Sequence, residues 1–125
     1  EPIWDYGRTE GASVVAGFVY RAPDGAERAW PEQYEGDFFF CDFYQSDLRR
    51  LTGSGQDWSI APAVAGQPAP ADWADGLASA ADFSIAPDGS VVFVSLAGTV
   101  HRIAYVGPVG DDATSFGRLR ARFRN

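Results

Sequence analysis

Residues 81–106 read ADFSIAPDGSVVFVSLAGTVHRIAYV, and this stretch decides the fold class. Ala81 to Ala86 alternates apolar and polar, with Phe83 and Ile85 on one face, the period of a strand. Asp88-Gly89 predicts a hairpin turn, because glycine takes the positive φ such turns need. Val91 to Leu96 is apolar on both faces and predicts a central strand packed on both sides. Ala97-Gly98 predicts a second turn, and Thr99 to Val106 a third strand. Short strands joined by tight turns make an antiparallel meander.

The upstream half repeats the layout. Ser13 to Arg21 (SVVAGFVYR) is β-branched and aromatic, and Gly36 to Tyr44 (GDFFFCDFY) is a dense aromatic run. Ser46 to Thr52 follows after a tight connection. Asp57 to Val64 predicts a short outer strand that Pro62 confines to an edge or an end. Gln67 to Ala71 (QPAPA) reads as loop. No segment has a helical period, and Leu77 to Ala81 has room for one helical turn at most. The expected fold is all-β: about two four-stranded antiparallel blades of a β-propeller, with a small β-sandwich as the rival. The blades occupy residues 1–107, divided near residue 66, and 108–125 forms an Arg-rich tail or closing strand.

Composition narrows the function. Seventeen carboxylates face ten bases, all of them Arg. This acidic balance argues against nucleic acid, whose binding needs a basic field. No run approaches the roughly 20 apolar residues of a membrane span. The chain contains no Met, which reads as a processed product or a fragment. A lone cysteine, Cys41, excludes an internal disulfide and any Cys-based metal site, and in its strand it reads as a buried small hydrophobe. One histidine, His101, among many serines does not make a catalytic triad. Asp24-Gly25, Asp88-Gly89 and Gly110-Asp111-Asp112 are turn signals before they are calcium ligands, since calcium takes about six to eight oxygens. No metal site is expected.

Arg118, Arg120, Arg122 and Arg124 alternate with Leu119, Ala121 and Phe123. The alternation predicts a terminal strand with Arg on one face; a docking arm for an anionic partner or a membrane surface is its functional counterpart, and a disordered tail the remaining reading.

Taken in order, SVVAGFVYR (13–21), WPEQYEGDFFFCDFYQSDLRRL (30–51) and AADFSIAPDGSVVFVSLAGTVHRI (80–103) resemble the C-terminal blades of glucose/sorbosone dehydrogenase-like proteins. The resemblance spans about Pro2 to Tyr105. It implies a closed propeller, secreted or periplasmic, in a family whose enzymes oxidise aldoses with pyrroloquinoline quinone (PQQ) and calcium. The family's catalytic histidine and calcium ligands belong to earlier blades. Its cationic cofactor-holding positions correspond to Tyr44, Ser79 and Ala81, none of which is a cation. The quinone is an anion, and burying anions without paired cations costs several kcal/mol per charge. No cofactor is therefore expected on this chain, and no catalysis by it alone.

Propeller geometry would put a ligand at the axial end, on the loops Arg8 to Ala12, Phe43 to Ser46 and Ala78 to Ala81. Thr9, Glu10, Tyr44 and Ser79 are the candidate ligand-binding residues there. Glu10 offers an acceptor and Tyr44 a stacking surface, a combination suited to sugar. Two blades expose two faces, so a covering partner is expected: the remaining blades, another copy, or a host complex. A sugar dehydrogenase-like propeller part, a non-catalytic assembly subunit and a carbohydrate-binding fragment are the three functional expectations.

Overall fold

The computed structural model describes residues 1–107 and 119–123. The fold is all-β. The first sheet runs β1 (Val14–Val19), β2 (Phe38–Asp42), β3 (Asp47–Ser54) and β4 (Asp57–Ile60), in that spatial order. The second runs β5 (Ala80–Ile85), β6 (Val91–Ser95), β7 (Thr99–Tyr105) and β8 (Leu119–Phe123). Among the described residues every pairing is antiparallel between strands consecutive in sequence, with no Greek-key crossover. The helical content of the described residues is a single 3-10 turn, Glu32–Tyr34. Residues 78–79 form a plain turn into β5, in place of the helical turn that Leu77 to Ala81 had room for.

Strand limits follow the side chains. β4 ends two residues before Pro62, and it is the edge strand, as a proline without a donor requires. Both first strands carry a register shift, at Val14/Ala16 in β1 and Ala80/Asp82 in β5. Such bulges sharpen local twist.

The sheets meet through β1 and β5. Phe18 on β1 lies 5.2 Å from Phe39 and 5.3 Å from Phe83, so it joins the two inner faces. Around it Trp30, Tyr34, Phe39 and Trp73 from the first half pack with Val91, Phe93 and Ile103 from the second. Burying each large apolar side chain contributes about 1.5–3 kcal/mol.

Two connections fasten this core. The β1–β2 connection leaves its own sheet and seats on the β5–β6 turn. Tyr20 Oη donates to Gly89 O at 2.7 Å and accepts from Trp30 N at 2.8 Å, while Arg28 N donates to Asp88 O at 2.7 Å. Gly89 has φ +90, and a Cβ there would stand 2.8 Å from Ala29 Cα. Both the turn and the seated chain therefore demand glycine. The linker 61–79 crosses the opposite end. Leu48 and Ala74 exchange backbone hydrogen bonds of 2.8 and 3.1 Å, and Leu77 N donates to Ser46 O.

One expectation is overturned. The run Val91 to Leu96 supplies the central strand β6, but it is packed on one side only. Val91 and Phe93 are buried, whereas Val94 is 44% and Leu96 73% exposed. The outer face of β6 has no second layer among the described residues.

Candidate functional site at the hairpin end of the first sheet

The polar chemistry of the described residues gathers where the N-terminal segment crosses the β2–β3 hairpin. Asp42 is its centre. It ends β2, is wholly buried, and accepts five hydrogen bonds. Its Oδ2 takes Tyr6 Oη at 2.7 Å, Ala12 N at 2.7 Å and Ser13 N at 2.9 Å; its Oδ1 takes Tyr44 N at 2.9 Å and Gln45 N at 3.0 Å. Burial alone pushes this carboxyl up, but the Tyr6 hydroxyl and the three backbone donors outweigh it and hold it well below the usual carboxylate range. The same contact pushes the Tyr6 phenol up, with burial the larger cause. A Cβ on Gly11 would lie 2.5 Å from Asp42 Oδ2, so the chain can pass this close only as glycine.

Arg49 and Arg50 are the second feature. Neighbours on a strand point to opposite faces, and each arginine is buried with a carboxylate. Arg50 Nε donates to Asp37 Oδ2 at 2.6 Å, and its guanidinium covers the Tyr34 ring at 4.7 Å. Arg49 Nη2 donates to Asp47 Oδ2 at 3.1 Å and to Glu10 O, and its guanidinium lies 4.4 Å over the Tyr6 ring. These cations work as internal fasteners and are not presented to a ligand.

Beside them the N-terminal segment and the outer face of the sheet enclose a cleft of about 370 Å³. Ile3, Trp4, Tyr6, Phe38 and Phe40 give it apolar and aromatic walls, and Asp5 and Arg8 add one charge of each sign. The volume and lining suit a small ligand with an apolar face.

The residues expected from the sequence sort as follows. Thr9 and Glu10 are exposed on the N-terminal segment. The Glu10 carboxylate accepts from Gly7 N at 3.3 Å, and its carbonyl is held by Arg49. Tyr44 is 72% exposed on the hairpin turn and touches only Phe43 by ring contact. The Asp42–Arg49 cluster thus anchors Glu10 and Tyr44 in one neighbourhood. Ser79 belongs to the second sheet: its carbonyl accepts from Leu96 N at 3.0 Å, at a backbone φ of +56. No hydrogen bond joins it to the other three. Arg120 and Arg122 lie on β8, in register with Ala104 and Arg102. Arg118 and Arg124 lie outside the described residues.

Neither the cysteine nor the histidine stands as a nucleophile among the described residues. Cys41 is buried, and burial first, then Asp47 and Asp42, push its thiol up to about 12. His101 is in the middle of the second sheet, stacked on Phe93 at 4.7 Å with Nε2 2.7 Å from Thr99 Oγ1. Among the described residues no three His, Cys, Asp or Glu side chains group as metal ligands, and no helix is long and apolar enough to cross a membrane.

Sequence reasoning passed over Asp42, Arg49 and Arg50. A signal was there: two consecutive arginines inside an apolar strand must each be paired, and the hairpin supplies Asp37, Asp42 and Asp47. No protein-family model, curated protein or solved structure matches the chain.

Proposed function

We propose that this chain forms two neighbouring blades of a sugar dehydrogenase-like β-propeller and serves it as scaffold, with no catalytic group of its own. The observation that carries the proposal is the apolar surface left exposed on the outer side of each sheet, on the first sheet only where the N-terminal segment does not cover it. On the first sheet Val14 and Val19 are 58% and 39% exposed; on the second, Val94 and Val100 are 44% and 60% exposed. Two meanders that meet by their first strands, each with an apolar outer side, have the form of blades awaiting further blades. Further sheets of the same kind are the partner this surface chemistry fits. The absence of cations at Tyr44, Ser79 and Ala81 supports a scaffold role over quinone chemistry.

The test is the mass of the native particle, by light scattering joined to intact mass spectrometry. The proposal expects a particle larger than one 13.5 kDa chain. A bare monomer with sharp cooperative unfolding overturns it and makes the two sheets a self-sufficient sandwich. Titration with the quinone is expected to give no binding; tight binding with aldose turnover would restore the enzymatic reading.

A second reading, a carbohydrate-binding part, is favoured by the cleft walled by Trp4, Tyr6, Phe38 and Phe40. Aromatic faces stack on sugar rings, and Asp5 and Arg8 can meet hydroxyls. Glycan binding without turnover, lost in Trp4→Ala, would establish it. Secretion or export to a periplasm accompanies either reading as part of the same proposal.

A further inference from the structure

We infer that Asp47 and Asp72 hold one proton between them, and that this proton latches the linker to the first sheet. Asp47 opens β3 and is 5% exposed. Its Oδ2 is taken by Arg49, at 3.3 Å from Nε and 3.1 Å from Nη2, while its Oδ1 is buried with no hydrogen bond. Asp72, on the linker, also has a buried Oδ1 without a hydrogen bond, 3.4 Å from Arg49 Nε. Both carboxyl groups close on the same Arg49 guanidinium, Asp47 Oδ2 at 3.1 Å and Asp72 Oδ1 at 3.4 Å, which brings them together. Ionised carboxylates only accept, so two of them in contact repel and satisfy nothing. One proton changes this. Either carboxyl becomes an O–H donor to the other, and the orphaned oxygens gain partners in a charge-assisted bond.

The surroundings leave the proton no other home. Arg49 is one cation against two carboxylates, and it is shared with Glu10 O and the Tyr6 ring. Asp42 is the cross-strand neighbour of Asp47, and the Asp47 charge also reaches Cys41 on β2 and Tyr6 on the N-terminal segment. The Cys41 thiol and the Tyr6 phenol are both pushed up and stay neutral, and Asp42 is held ionised by its five donors. Burial pushes the Asp47 carboxyl up, Arg49 pulls it back, and the Asp72 contact adds to the rise. Adjoining the pair, Leu48 and Ala74 exchange the backbone bonds that tie linker to strand. Removing the proton sets two negative charges against each other across that tie.

The sign follows from linkage. A carboxyl raised in the folded state stabilises it below the ordinary aspartate range, and that stabilisation is lost as pH rises through the folded value. The latch is closed in mild acid and loosens toward neutral or higher pH.

Carbon-13 titration of the aspartate carboxyls in the whole chain, with amide exchange at Leu48 and Ala74, tests this. One carboxyl of the pair is expected to titrate clearly above the ordinary value of about 4, in a two-step curve. Protection of the Leu48 and Ala74 amides, corrected for intrinsic exchange, is expected to fall across the upper step. Asp72→Asn supplies an N–H in place of the proton, so the upper step should vanish and protection become independent of pH. If that variant fails to fold, the wild-type titration decides alone. Both carboxyls titrating at or below the ordinary range overturns the inference, and so does an upper step that survives Asp72→Asn. Added calcium that shifts both resonances at constant pH also overturns it, because a metal would then bridge the pair.

Discussion

The two sheets share a topology but not a way of holding together. The first sheet is covered on its inner face by the aromatic core and partly on its outer face by the N-terminal segment, and it carries the buried charges: Asp37 beside it, and Asp42, Asp47, Arg49 and Arg50 within it. Among the described side chains, the buried polar ones of the second sheet are Ser90 and Ser95. Its inner face is Phe83, Val91, Phe93 and Ile103, and its outer face is left to Val94 and Val100. The first sheet therefore depends on buried charge pairs and hydrogen bonds and the second on apolar contact. Substitutions that strand a buried charge should act on the first and leave the second alone.

Trp30 is where the comparison breaks most easily, because it belongs to both sheets. Its ring stacks on Tyr20 at 4.6 Å and meets Phe39 and Trp73, while its Nε1 donates to Ile103 O at 3.3 Å. Trp30→Ala should cost about 3–5 kcal/mol, the usual range for a buried aromatic truncated to alanine. Denaturant unfolding followed separately by probes in each sheet should show both destabilised together. If the second sheet keeps its midpoint, the sheets are separate cooperative units.

Charge deletion comes next and is confined to the first sheet. Arg50→Ala leaves Asp37 buried without its cation and should cost about 3 kcal/mol or slightly more. Asp42→Asn keeps the shape but removes the charge that five donors address, at about 1–3 kcal/mol. Asp42 also sets an acid limb. Its folded value is depressed, so its stabilisation is complete above the unfolded aspartate value of about 4 and is lost as pH falls below that. Wild-type melting temperature should drop on acidification through this window, and Asp42→Asn should flatten the drop. An unchanged acid limb in the variant would show that the loss arises elsewhere.

The strands were readable because their signals are local. Val91-Val92-Phe93-Val94 and Phe38-Phe39-Phe40 set β6 and β2, and Asp88-Gly89 and Ala97-Gly98 mark the turns between β5, β6 and β7. The tail's alternation likewise ends as β8 on the free side of β7. The fasteners were hidden because they are long-range. Tyr20 reaches Gly89 across 69 residues of sequence, and Trp30 reaches Ile103 across 73. Nothing in the composition of residues 20–37 says that the connection leaves its own sheet. The two-sided apolarity of β6 was read correctly as residue types and wrongly as burial, since periodicity reports which face is apolar and not whether a layer covers it. For the candidate site, the loops 8–12 and 43–46 do converge, but the group that draws them together is Asp42, whose role as a buried acceptor has no sequence signature beyond a carboxylate at a strand end.

The smallest expected effect is the one that separates the sheets most cleanly. Val94 and Val100 face each other in register on β6 and β7, at 44% and 60% exposure. Val→Thr keeps the β-branch that suits a strand and replaces one methyl by a hydroxyl that water can solvate. In the isolated chain the double change Val94→Thr with Val100→Thr should therefore move stability by no more than about 0.5 kcal/mol, the range of surface substitutions. In the native particle the same hydroxyls would be buried against a further sheet with no partner, which costs about 1–3 kcal/mol for each group left unsatisfied. An unchanged melt of the chain together with a lighter particle in light scattering would mark this face as a blade interface. If neither quantity changes, the second sheet needs no cover, and the apolar contact that holds it lies wholly on its inner face.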